Sequence, residues 1–122
     1  MGINSWYLQN HPDQIFVFGD NLERWGTGGA AKVRGEPNTY GFITKKAPKT
    51  DDSVYYHPEE YREVYNQEIQ KLVEFILANP DKTFLISKIG SNLANKYGIF
   101  EAVIEPSIKK LLYGFKNVVF LW

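Results

Sequence analysis

The apolar run Ile15-Phe16-Val17-Phe18 has no polar residue to turn toward water, so as a strand it is buried on both faces. Thr83–Ser87 has the same character. Thr39–Thr44 is rich in β-branched and aromatic residues, and Val118–Trp122 closes the chain as a fourth apolar run. A strand buried on both faces sits inside a sheet that is covered on both sides. Helical patterns lie between the runs. The clearest spans Pro58–Asn79. Pro58 suits its first turn, and Glu59, Glu60 and Glu63 sit near its positive end. Tyr61, Tyr65, Ile69, Leu72, Val73, Ile76 and Leu77 form one apolar stripe, and Asn79-Pro80 stops it. Pro106 starts a shorter helix carrying Ile108, Leu111 and Leu112. The order β-α-β-α-β-α-β predicts an α/β three-layer sandwich, a mostly parallel mixed sheet with helices on both faces. At 122 residues the chain forms one domain.

Two loops follow buried strands and carry the candidate chemistry. After Ile15–Phe18 the chain is expected to turn at Gly19-Asp20-Asn21. It then enters a glycine loop, Gly26-Thr27-Gly28-Gly29, and a short helix from Ala30. Glycines let backbone N–H groups approach an anion, and a helix start adds unpaired donors. The Gly-Lys-Ser/Thr ending of a Walker loop is absent, and the glycines at 26, 28 and 29 do not fit the dinucleotide fingerprint. The same glycines also suit a plain strand-to-helix turn. After Thr83–Ser87 comes the second loop, Lys88–Gly98. Thr39–Thr44 empties into Lys45-Lys46, which read either as solvated loop charges or as cations at the carboxyl end of a strand, where α/β sheets collect ligands.

Charge and composition narrow the classes. Fourteen basic and fourteen acidic side chains cancel, so no global field draws nucleic acid. The absence of cysteine removes thiol catalysis and zinc-thiolate sites and fits a cytoplasmic protein. His11 and His57 each precede proline, so neither suggests a metal site, and nothing calls for a cofactor. No run is long enough to span a membrane, so no membrane partner is expected.

The segments Tyr40-Gly41-Phe42-Ile43-Thr44-Lys45-Lys46 and Ile86-Ser87-Lys88-Ile89-Gly90-Ser91-Asn92-Leu93, separated by a long helix, carry a resemblance. They look like the macrodomain branch that includes terminal ADP-ribose protein glycohydrolase, with its Ile-Thr-Lys-Lys segment and Arg-Ile-Gly-Cys-Gly-Leu-Asp loop. Val17–Leu22 and Gly28–Lys32 look like small phage and bacterial proteins of the same plan. The resemblance spans roughly residues 15–121. It implies an ADP-ribose-binding module, its partner being ADP-ribose or a related nucleotide, free or carried on a protein or nucleic acid. Ile89, Gly90, Ser91, Asn92 and Leu93 would hold the diphosphate, and Gly26, Thr27, Gly28, Gly29 and Ala30 would face them. Gly19, Asp20, Asn21 and Thr44 would lie near the entrance. Tyr97, Phe100 or Trp25 would pack on a ring.

Lys45 aligns with the lysine that attacks the anomeric carbon in the glycohydrolase, which implies a hydrolase acting on N- or O-glycosyl bonds. Partial burial and the neighbouring charge of Lys46 would lower its pKa. The family's aspartate falls on Ala94, its cysteine on Ser91 and its second loop glycine on Asn92. Asp20 is then the carboxylate left to share catalysis with Lys45. The alternative is a non-catalytic reader that sequesters an ADP-ribose-derived signal.

Overall fold

A computed structural model describes residues 2–122. Four strands, β1 (Gln14–Asn21), β2 (Thr39–Lys45), β3 (Thr83–Ile86) and β4 (Val118–Phe120), form one sheet in the order β2-β1-β3-β4. Every pairing is parallel. Antiparallel character is confined to an isolated bridge between Lys45 and Tyr55, so the mixed sheet expected from sequence is an all-parallel one. The chain is therefore α/β.

Side-chain alternation along β1 builds a core on each face. Ile15 and Val17 point into the larger one, with Phe42, Phe84 and Ile86. Helix α2 (Pro58–Ala78), a π-type turn at Phe100–Ile104 and helix α3 (Ile108–Leu112) cover it. Phe16, Phe18 and Leu85 point the other way, onto Leu8 of the short helix α1 (Ser5–Gln9) and Ala31 and Val33 of a 3-10 turn. This is the distribution that right-handed crossovers require. The β1–β2 connection steps one way across the sheet. Those leading to β3 and β4 step the other way and must cross on the opposite face.

Helix α2 begins at Pro58, with Glu59 and Glu60 in its first turn. Its stripe is as expected at Tyr61, Tyr65, Ile69, Leu72 and Ile76, whereas Leu77 is exposed. The stripe also buries an acid, Glu68. Strand β2 lies at the sheet edge, where backbone groups would lack partners. Glu68 accepts the Ile43 N–H at 2.8 Å, and the Tyr61 hydroxyl donates to the Ile43 carbonyl. Helix α2 thus closes the edge of β2 with two side chains.

Three other elements differ from the sequence reading. Gly19-Asp20-Asn21 remains in strand β1, because its backbone continues to pair with β2. The helix expected from Ala30 is a single 3-10 turn, Gly29–Val33, too short to carry a macrodipole. The N-terminal segment forms α1, capped by Asn4, whose side chain accepts the Tyr7 N–H at 2.8 Å. No helix among the described residues is long and apolar enough to cross a membrane.

Glu68→Ala strands the buried Ile43 N–H. It should destabilise the domain by about 2 kcal/mol, read as a lower midpoint in urea. Glu68→Gln keeps an acceptor and should lose less. Equal losses would show that helix packing, not the edge bond, sets the cost.

Candidate functional site

The sheet order reverses direction between β1 and β3, and a crevice opens at such a point beyond the carboxyl ends of the strands. A cleft of about 670 Å3 lies there. That volume is within the roughly 300–1,000 Å3 of small-molecule sites. Gly19, Asp20, Asn21, Gly26, Thr27, Gly28, Gly29, Ala30, Thr44, Lys45, Ile89, Gly90, Ser91, Asn92 and Leu93 all line it. Tyr97 does not. Its ring stacks on His57 at 3.9 Å and its hydroxyl donates to Asp52, on the outer side of the loop that follows β2. Phe100 is buried in the core, so of the three rings considered only Trp25 reaches the cleft.

The two glycine loops meet across this cleft. A Cβ placed on Gly28 or Gly29 would stand 3.2 Å from the Leu93 side chain of the facing loop. Gly29 and Gly90 hold positive φ, +58° and +77°, and a Cβ on Gly90 would reach 2.6 Å from Ile104. Only glycine serves at position 90. Among the described residues, the amides of Gly26, Thr27 and Gly28 in one loop, and of Gly90, Asn92 and Leu93 in the other, have no protein acceptor. The Ser91 hydroxyl is turned into its own loop, onto the Lys88 carbonyl at 2.6 Å, and Thr44 is buried with its hydroxyl toward the Asp20 carbonyl.

Asp20 and Asn21 hold the wall of the cleft together. Arg34 grips the Asp20 carboxylate through both terminal nitrogens, at 2.7 and 3.0 Å, and Arg24 adds a third bond at 3.2 Å. The Asp20 side chain is 2% exposed. Burial alone would raise its pKa. The Arg34 hydrogen bonds, the Asn21 backbone N–H and the charge of Arg34 outweigh that and, with Arg24, hold the carboxyl below its usual value. The Asn21 side chain donates to the Trp25 carbonyl at 2.8 Å and accepts the Glu23 N–H at 3.0 Å. Gly41 makes room for this cluster, since a side chain there would collide with the Asp20 carboxylate. Arg24 bonds the Gly41 carbonyl at 2.7 Å from a left-handed backbone.

Lys45 reaches the cleft through a β-bulge. Asp20 pairs with Ile43, but Asn21 pairs with Lys45, so Thr44 is the extra residue of β2. Bulges re-aim the side chains that follow them. The Lys45 ammonium stands 4.9 Å over the Tyr55 ring, and burial lowers its pKa. Lys46 turns away to pair with Glu60 at 3.1 Å, so burial acts on Lys45 without the neighbouring cation that sequence suggested. Arg34, Lys49 and Lys88 also line the cleft, against the single carboxylate of Asp20. Among the described residues no carboxylate lies within ion-pair distance of Lys45, Lys49 or Lys88. A chain of zero net charge thus carries a locally cationic cleft. Sequence reasoning missed Arg34, Tyr55 and Lys49 because each comes from a loop with no periodic pattern, whereas Lys88 heads the second loop without a feature of its own to mark it.

Removing Asp20 leaves Arg34 without its buried partner. Asp20→Asn should cost about 3 kcal/mol, the low end for a broken buried pair because both arginines reach water. Because the folded pKa is depressed, the Asp20 contribution is present above the unfolded value near 3.9. It is lost as pH falls through the lower folded value. Urea midpoints of wild type and Asp20→Asn should therefore converge toward pH 2, and a constant gap would show that the charge is not the cause. For Lys45, reductive methylation at pH 9 should proceed faster than at Lys96, whose pKa is raised by its hydrogen bond to Asp52. Peptide mapping reads the order, and the reverse order would place the Lys45 amine out of reach of solvent.

A family of unknown function, DUF7831, has a model that matches residues 3–95. The match covers α1, the first glycine loop, Arg34, Lys45, α2 and residues 88–95 of the second loop. No curated protein and no solved structure matches the chain. Since the match takes in most of its length, the chain belongs to the DUF7831 family.

Proposed function

We propose that the cleft binds ADP-ribose or a closely related nucleoside diphosphate sugar, and that the protein is a macrodomain-like module. The observation that carries this reading is the facing pair of glycine loops, each with three amides that have no protein acceptor among the described residues, at the switch point of a parallel sheet. A diphosphate bridging the two loops meets backbone donors from both sides. Lys45, Lys49 and Lys88 supply the charge that favours a dianionic linker. Trp25 is 54% exposed and offers an aromatic face at the rim for a nucleobase.

Binding without turnover is the reading that the carboxylates favour. Glycoside hydrolysis needs a carboxyl group to protonate a leaving group or activate water. The one carboxylate lining the cleft among the described residues is held by two arginines, and Ala94 is apolar and buried. Asp20 is therefore assigned to structure and not to proton transfer. Lys45 favours a second reading. A half-buried amine with a lowered pKa, with no carboxylate in ion-pair distance among the described residues, can attack an anomeric carbon. The C–N bond forms as the bond to the departing group breaks, that group takes up the amine's proton through water, and water then hydrolyses the lysine adduct.

Calorimetric titration with ADP-ribose, AMP and NAD tests the binding. ADP-ribose should bind, and Gly28→Glu, which puts a carboxylate into the diphosphate position, should weaken it by at least about 100-fold. Gly28 has an ordinary extended backbone and only the flexible Leu93 side chain nearby, so the variant should stay folded. No heat with any of the three nucleotides would sink the proposal. Release of ADP-ribose from a modified protein, lost in Lys45→Ala with binding kept, would select the hydrolase.

A further inference from the structure

Resting on the proposed anion-binding cleft, a finer feature names the residues that build its first loop. The peptide groups on either side of Gly26 are each held by one side chain from the strand end or its neighbour. Asn21 donates its side-chain N–H to the Trp25 carbonyl at 2.8 Å. Arg34 donates its Nε–H to the Gly26 carbonyl at 3.0 Å, while its two terminal nitrogens remain on Asp20. No described peptide bond is cis. In a trans peptide the N–H points opposite to the C=O. Fixing the Trp25 carbonyl therefore turns the Gly26 N–H away from Asn21, and fixing the Gly26 carbonyl turns the Thr27 N–H away from Arg34. Neither amide has an acceptor among the described residues, and both residues line the cleft.

The backbone at Gly26 is committed to this arrangement. Its φ is +101°, and a Cβ there would stand 2.8 Å from Pro48. Arg34 is itself fixed, its guanidinium gripping Asp20 and lying 5.5 Å over the Phe18 ring. The loop is therefore braced from both sides, by Pro48 and by the strand end. Two adjacent amides held outward make a small anion-binding concavity.

We propose that Asn21 and Arg34 act as a two-point carbonyl clamp that presents the Gly26 and Thr27 amides to one phosphoryl group of the ligand. Both are positioning residues. They act on the ligand through the backbone, and the dipeptide Asp20-Asn21 at the end of β1 sets both clamps, one directly and one through Arg34. The opposite loop, at Gly90, Asn92 and Leu93, then takes the second phosphoryl group.

Inorganic pyrophosphate tests this without a nucleotide. In 15N–1H spectra of the wild-type protein, pyrophosphate should shift the Gly26 and Thr27 amide resonances as well as that of Gly90. Arg34→Lys keeps a cation beside Asp20 but has no Nε–H for the Gly26 carbonyl. It should weaken pyrophosphate about tenfold, the loss expected from one misaligned charge-assisted contact. It should also shrink the response at Gly26 and Thr27 relative to that at Gly90. A purely structural role would lower the melting temperature and leave that ratio unchanged, which overturns the proposal. So does a wild-type titration in which Gly26 and Thr27 do not move, a result that needs no variant. If pyrophosphate moves both amides while ADP-ribose gives no heat, the nucleotide reading falls and the clamp stands.

Discussion

The carboxylate of Asp20 is the interaction on which the cleft depends. It is buried at the end of the central strand, and a buried carboxylate is costly unless it is paired and hydrogen-bonded. Here it is satisfied by two guanidinium groups and a backbone N–H. Each partner belongs to a different part of the wall. Arg24 reaches across to the β2 carbonyl of Gly41, and Arg34 reaches from beyond the 3-10 turn to the Gly26 carbonyl. One charge thus fixes the turn after β1, the neighbouring strand and the start of the glycine loop. Such a centre adds little net stability compared with an apolar core. Its effect is geometric, because any other arrangement of these loops leaves a charge without partners.

The sheet order explains why this centre stands beside a cleft and not inside a core. With β2 on one side of β1 and β3 on the other, the loops after β1 and β3 diverge to opposite faces and leave a gap above β1. The loop after β2 crosses toward the loop after β3 and is tied to it by exposed contacts. Asp52 pairs with Lys96 at 2.8 Å and accepts from Tyr97, and Tyr97 stacks on His57. Exposed pairs of this kind contribute little each. The tie between these two loops is therefore weak, while the Tyr55 segment itself is held to β2 by its bridge to Lys45 and by the buried Val54 and Tyr56 on either side.

Much of the layout was legible in the residues. Ile15–Phe18 and Thr83–Ser87 declared a doubly covered sheet because a strand without polar alternation has no wet face. The stripe on α2 followed from helical spacing alone. Both glycine loops were visible because each directly follows such a strand. What was hidden depended on pairs distant in sequence. Arg34 lies fourteen positions from Asp20, and nothing local marks either as the other's partner. Glu68 interrupts an apolar stripe and reads as a surface acid until the edge of β2 is placed against it. Gly41 reads as a weak point in a strand, and its reason is the Asp20 carboxylate on the neighbouring one. Tyr97 was misplaced for the converse reason. It sits in the right loop, but the partners that orient it, His57 and Asp52, come from a different one.

The bulge at Thr44 joins the two chemistries of the cleft. The extra residue breaks the regular alternation of β2 just before Lys45. The extra residue lets Ile43 stay inside, with its backbone bonded to Glu68 and Tyr61, while Lys45 emerges opposite Asn21. The same strand end thus holds the Trp25 and Gly26 carbonyls, through Asn21 and Arg34, and sets the position of Lys45, whose amine burial makes easier to deprotonate. With Asp20 engaged in holding that strand end, no carboxylate among the described residues lies within ion-pair distance of Lys45. This edge of the sheet sets unpartnered backbone amides and lysines beside a carboxylate, Asp20, that the strand end has already engaged.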